Sequence, residues 1–168
     1  DRAVAVCIDF VQQLKKTSIV VNDGWGFYTS RAFMTYVEEG FFCLRDGVAT
    51  ALVENAAKSA GLPVGTLAVT DEVSLELVYH IIEQRKADLG AESVDPYLYE
   101  KTVFFVKELK RLGRKSGGGF YDYPKDDKKH LWSGLSEHFP VQAEQLDIEE
   151  VKHRLLYRQV LETVRCLE

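Results

Sequence analysis

Three sets of side chains in this sequence have types that could do chemistry. The first is Lys115-Ser116 followed by Gly117, Gly118 and Gly119, with Lys107, Lys110, Arg111 and Arg114 nearby. Glycines beside a lysine and a hydroxyl suggest a phosphate cradle. That loop, however, places its glycines before the lysine and follows a buried strand, whereas here they come after it and follow a helical stretch. The cations could hold an anionic ligand or form a solvated helix face, and a plain turn closing a helical domain explains the glycines equally well. The second set is Cys7, Cys43 and Cys166, odd in number, far apart and each in an apolar helical context. Buried reduced thiols are the reading. The third is His80, His130, His138 and His153, which share no ligand-like spacing with the cysteines. They read as surface or capping histidines, and no zinc site is expected.

The elements that position these groups are mostly helices. Val4, Val6, Cys7, Ile8, Val11 and Leu14 give an amphipathic helix ending near Lys15-Lys16, and Ser18-Ile19-Val20-Val21 reads as a short buried strand before the turn Asn22-Asp23-Gly24. Phe33, Met34, Val37, Phe41 and Leu44 repeat at helical spacing within a long helix from about Tyr28 to Arg45. Thr50 can cap a helix over Ala51 to Ala60, and Thr70, with Asp71 and Glu72 in the first turn, starts another that runs to Leu89. Pro96 opens a helix that should run to the stop at Gly113, with Lys110 and Arg111 in its last turn. Phe120 to Tyr123 alternates as a short strand would. Residues 125 to 144 are charged and weakly patterned apart from Leu131-Trp132 and Leu135, so a linker with one short helix is expected. Asp147 then caps a helix from Ile148 to Leu167.

Composition sets outer bounds. The 168 residues carry a net charge of -5, with 46% hydrophobic and 28% charged residues. That suits one soluble core, speaks against a general nucleic-acid binder, and includes no apolar run long enough to span a membrane. The start resembles no signal peptide, and it enters a helix so abruptly that an excised piece of a longer protein is expected. An internal repeat is also present. Aligning the helix from Arg31 with that from Arg154 matches Arg31 with Arg154, Val37 with Val160, Glu39 with Glu162, Cys43 with Cys166 and Leu44 with Leu167.

Four stretches, in order, resemble the carboxy-terminal region of L-3-hydroxyacyl-CoA dehydrogenases, particularly the multifunctional alpha subunit of the fatty-acid β-oxidation complex. They are Lys16 to Phe27, Tyr28 to Arg31, Gly61 to Gly65 with Thr70 to Val73, and Leu112 to Tyr123. The resemblance implies an all-α fold of the 6-phosphogluconate dehydrogenase C-terminal-like type, with a short residual strand. It implies residues 1–24 as the tail of an NAD-binding domain, 25–124 as a first helical domain, 125–146 as a linker, and 147–168 as the first helix of a second copy. In monofunctional relatives an asparagine assists catalysis at the position of Ser30, so Ser30 is implied as an auxiliary catalytic and substrate-binding residue. From chemistry alone it is a first-turn serine satisfying a backbone group. Pro63 and Gly65 resemble positions shaping the loop beside the acyl chain; a loop breaker explains them as well.

The family's Gly-x-Gly-x-x-Gly loop and its catalytic His and Glu have no counterpart here. NAD is therefore implied to bind on a different segment, and the chain alone should be inactive. The implied partners are the acyl-CoA substrate, the NAD-binding domain, and a thiolase subunit or a second copy. Bacterial cytoplasm is the implied compartment, with mitochondrial matrix as the alternative. The competing reading is a non-enzymatic helical module for dimerisation or interaction.

Overall fold

The computed structural model describes residues 1–167. Its centre is α2 (Thr29–Arg45), which buries Met34, Val37, Phe41 and Leu44 as the helical spacing anticipates, and Phe33 is half-buried. Around it stand α3 (Thr50–Ser59), α4 (Thr66–Val73), α5 (Leu75–Leu89), α6 (Pro96–Val103) and α8 (Ile148–Arg165). The chain is all-α apart from a two-stranded antiparallel ribbon, β1 (Tyr121–Asp122) with β2 (His130–Leu131), in which Tyr121 faces Leu131.

The amino-terminal segment differs from the sequence expectation. α1 (Arg2–Gln13) forms, capped by Asp1 accepting from the Ala3 amide at 2.9 Å, but none of its residues is buried. Residues 18–21 form no strand, and Ile19, Val20 and Val21 are exposed. A β-branched run needs a neighbouring edge before its backbone groups can pair, and the described residues offer none beside it. Cys7 is likewise exposed, whereas Cys43 is buried and Cys166 half-buried.

Helix boundaries shift where side chains turn inward. Thr70 caps nothing: it lies inside α4, its hydroxyl donating to the Thr66 carbonyl at 2.7 Å, and Asp71 beside it enters the core. The expected single helix to Leu89 is broken at Ser74, whose φ of 82° and ψ of 126° separate α4 from α5. Ala49, not Thr50, is the residue flanking α3. α6 begins with Pro96 behind an Asp95 cap, as its composition demands, then widens into a π turn over Phe104–Glu108. It ends before Gly113, because Lys110 takes φ 56° and swings Arg111 back toward the ribbon.

Residues 125–146 are more than a connector. They hold β2, the expected short helix α7 (Leu135–His138), and Leu135 and Phe139, both 3% exposed. The Phe139 ring lies 6.1 Å from Phe105 and 6.4 Å from Phe120, closing an aromatic cluster. The segment is also tied to α3: Gln145 accepts from the Ala49 amide at 2.8 Å and donates to Gly47. Asp147 caps α8, accepting from Glu149 at 2.7 Å. Val151 and Leu155 of α8 are buried against the bundle, while Tyr157, Val160, Leu161 and Val164 face outward.

Candidate functional site

The glycine stretch proves to be architecture. Asp71 is 1% exposed, and its carboxylate accepts from the amides of Phe120 and Tyr121, both at 2.8 Å, and from the Tyr123 hydroxyl at 3.1 Å. A Cβ on Gly119 would collide with that carboxylate, so the glycine is required by close approach rather than by a phosphate. Burial pushes the Asp71 carboxyl up to about 6, against the opposing pull of these hydrogen bonds and of Arg111. Arg111 belongs to no free basic patch. It donates to the Gly119 carbonyl at 2.7 Å and to Asp122 at 2.6 Å, and its guanidinium sits 4.4 Å from the Trp132 ring.

Gly65 serves the same purpose at the start of α4. Glu54, 3% exposed, presses its carboxylate against Gly65 where a Cβ would stand. There it accepts from the Leu67 amide at 2.7 Å, at the positive end of the helix, and from the Tyr121 hydroxyl at 2.7 Å. Pro63 is exposed on the preceding loop. Neither residue meets Ser30.

Ser30 lies elsewhere, on the first turn of α2, exposed at the side of an apolar groove of about 410 Å³. One wall is Phe33 and Met34 of the same helix, with Trp25 and Gly26 preceding it. The other is the stripe Val73, Leu77, Val78 and Ile81, continuing to Gln84. The residues lining it include no His, Asp, Glu, Lys or Arg. Ser30 therefore has no base beside it that would make it a nucleophile, and what it can offer is one hydrogen bond at the edge of an apolar surface.

Next to this groove is a charged seam between α2 and α8 that the sequence pattern did not disclose. Glu38 and Glu39 are 8% and 4% exposed although both are carboxylates in mid-helix. Glu38 meets Arg85 at 3.1 Å and Arg158 at 3.6 Å, and Glu39 meets Arg154 at 2.7 Å. Burial raises the Glu38 carboxyl above its ordinary range, with both arginines opposing. Arg31, at the start of α2, donates to Glu162 of α8 at 2.7 Å. The available signal was the repeat itself, since both pairs join residues that it matches. Among the described residues no cluster of three or more His, Cys, Asp or Glu could hold a metal. No helix among them is long and apolar enough to cross a membrane.

Comparison with known proteins places this arrangement. The family model of the 3-hydroxyacyl-CoA dehydrogenase C-terminal domain matches residues 26–123. The fatty acid oxidation complex subunit alpha of Shewanella baltica (strain OS185) is 30% identical over 98% of the chain, and that of Vibrio cholerae serotype O1 (strain ATCC 39541 / Classical Ogawa 395 / O395) is 30% identical over 100%. The chain spans 23% of the length of each. A crystal structure of (S)-3-hydroxybutyryl-CoA dehydrogenase from Ralstonia eutropha superposes with a TM-score of 0.65 and 26% identity, covering 74% of this chain and 44% of that one. The match over residues 26–123 shows that the chain belongs to the family of 3-hydroxyacyl-CoA dehydrogenase C-terminal domains.

Proposed function

We propose that the chain is the substrate-side helical part of an NAD-dependent L-3-hydroxyacyl-CoA dehydrogenase of fatty-acid β-oxidation, inactive by itself. The observation that carries this is the apolar groove with the Ser30 hydroxyl beside it, within a domain of this family. In the longer protein the groove receives the acyl part of a 3-hydroxyacyl-CoA, and Ser30 hydrogen-bonds at the reacting end, orienting it without taking its proton. The residues here do not suit the dinucleotide. The groove offers carbon, the Ser30 hydroxyl and the Gln84 amide, not a glycine turn at a helix start, so NAD is assigned to a separate domain.

In this reading residues 1–24 end the NAD-binding domain, 25–124 form the first helical domain, 125–146 link it to the next while packing back on it through β2, Leu135 and Phe139, and 147–168 begin a second copy. The outward apolar face of α8 and its ion pairs with α2 support that second copy. Pro63 and Gly65 act by shaping the loop into α4 rather than by lining the groove. The parent in this reading is a bacterial cytoplasmic enzyme that docks a thiolase subunit; the relatives' name, a subunit alpha of a complex, supports a partner subunit.

A pure association module is the second reading, favoured by the exposed apolar faces of α1 and α8. Calorimetric titration of this chain with acetoacetyl-CoA and NADH, beside an assay of the full-length protein, separates the two. The dehydrogenase reading expects turnover in the full-length protein and none in the chain. Absence of turnover in the full-length protein would leave the association module standing.

A further inference from the structure

We infer that the α5 stripe, through Leu77 and Ile81 facing Phe33, sets the acyl chain length this protein accepts; the inference rests on the dehydrogenase reading above. The α5 part of the wall, from Leu77 to Gln84, is seven helical steps long, about 10 Å. Over that length a helix would fill roughly 800 Å³, and the groove holds about 410 Å³. An α-helix, about 10 Å across, does not enter such a slot. An extended peptide would bury backbone donors and acceptors against a wall whose polar side chains are Ser30 and Gln84, and it would leave most of them unpaired. An alkyl chain has no such requirement. At about 1.2 Å per bond of an extended chain, the wall matches roughly eight carbons.

The two ends of the slot are distinguishable. Trp25, which lines both the slot and the neighbouring charged seam, is held in place by Arg85, whose guanidinium lies 5.4 Å from the indole ring and bonds Glu38. The charged seam therefore begins where the apolar slot stops, and an uncharged tail gains nothing by passing Trp25. On the α5 wall of the slot, Leu77 and Ile81 lie one turn apart and are not core residues. Leu77 is 50% exposed and Ile81 half-buried, whereas Val78 between them is fully buried. Their side chains can change size without opening the bundle.

The test uses the full-length protein, comparing kcat/KM for 3-hydroxyacyl-CoA substrates of four and sixteen carbons in wild type, Leu77→Trp and Ile81→Trp. Taking the ratio of the two substrates on one preparation removes any effect of a misfolded fraction. The long-to-short ratio should fall about tenfold or more in each variant, the order that a single methylene's fit is worth in an apolar pocket. An unchanged ratio in both variants would overturn the assignment of the stripe. A wild-type protein that oxidises neither substrate would instead overturn the dehydrogenase reading on which the stripe depends.

Discussion

Arg154 and Glu39 form the mirror of Arg31 and Glu162: in each pair an arginine on one long helix donates to a glutamate on the other, with Nε to Oε1 at 2.7 Å. Each glutamate stands eight residues beyond the arginine on its own helix, so the antiparallel pair α2 and α8 carries the contact twice. The sequence repeat is thereby also a geometric one. The copies are not equally buried: the side chain of Glu39 is 6% exposed and that of Arg154 24%, against 14% for the Glu162 side chain and 36% for that of Arg31.

That inequality sets the first prediction. Arg154→Ala leaves the buried Glu39 carboxylate with only the longer contact to Arg158, at 3.4 Å, and should cost about 3 kcal/mol, whereas Arg31→Ala at the more open end should cost about 1 kcal/mol. Urea unfolding of the two variants measures both. Equal losses would contradict the account of the seam.

Ser74 supplies a gain. A φ of 82° with ψ of 126° is a backbone state that L side chains rarely adopt, and it is imposed by the break between α4 and α5, where the Leu75 amide bonds the Leu112 carbonyl at 2.9 Å. Relief of that strain outweighs the extra freedom that glycine brings to the unfolded chain. Ser74→Gly should raise stability by about 1 kcal/mol, read as a higher urea midpoint at unchanged slope. A lower midpoint would mean the serine side chain contributes more than its backbone costs.

Asp71 gives a pH signature. Its folded-state carboxyl lies at about 6, above the ordinary 3.8, so between these values the folded protein holds a proton that the unfolded chain has released. The stabilisation is complete below the ordinary value and is lost as pH rises through about 6. Asp71→Asn cannot titrate, and its amide turns an N–H toward a buried donor; it should cost about 2 kcal/mol at neutral pH. The gap between wild type and variant should widen by about 1 kcal/mol from pH 7 to pH 5. A narrowing gap would show that the amides of Phe120 and Tyr121 hold the carboxylate ionised.

Much of this bundle is legible from sequence because α2 and α6 carry strong local signals: apolar residues at helical spacing in the first, and Asp95 before Pro96 in the second. The failures share one cause. Thr70-Asp71 has the composition of a helix start and Glu38-Glu39 that of a solvated face, yet each carboxylate is drawn inward by partners remote in sequence, Phe120 and Tyr121 for one, Arg85 and Arg154 for the other. No local window contains such a partner. Residues 18–21 failed for the opposite reason, since strand propensity is satisfied only by a neighbour and none of the described residues provides it. The groove was visible only through Ser30, because its walls come from the first turn of α2 and a stripe of α5 that sequence spacing does not bring together.

The glycine stretch offers a check on that lesson. Gly119→Ala would drive a methyl group into the Asp71 carboxylate and should cost about 3 kcal/mol in thermal or urea unfolding. Gly117→Ala, at an open position with φ 86°, should cost about 1 kcal/mol. A reversed order would contradict the packing of the corner.

The most direct test of the central claim is Ser30→Ala in the full-length protein, with NADH formation from 3-hydroxybutyryl-CoA and NAD followed beside thermal unfolding. Ser30 is exposed and lies beside the groove. Its loss should therefore lower kcat about tenfold, as expected for one hydrogen bond at the reacting end, and shift stability by less than about 0.5 kcal/mol. Undiminished turnover, or a fall in turnover matched by an equal loss of stability, would contradict the assignment of this chain as the substrate-side wall.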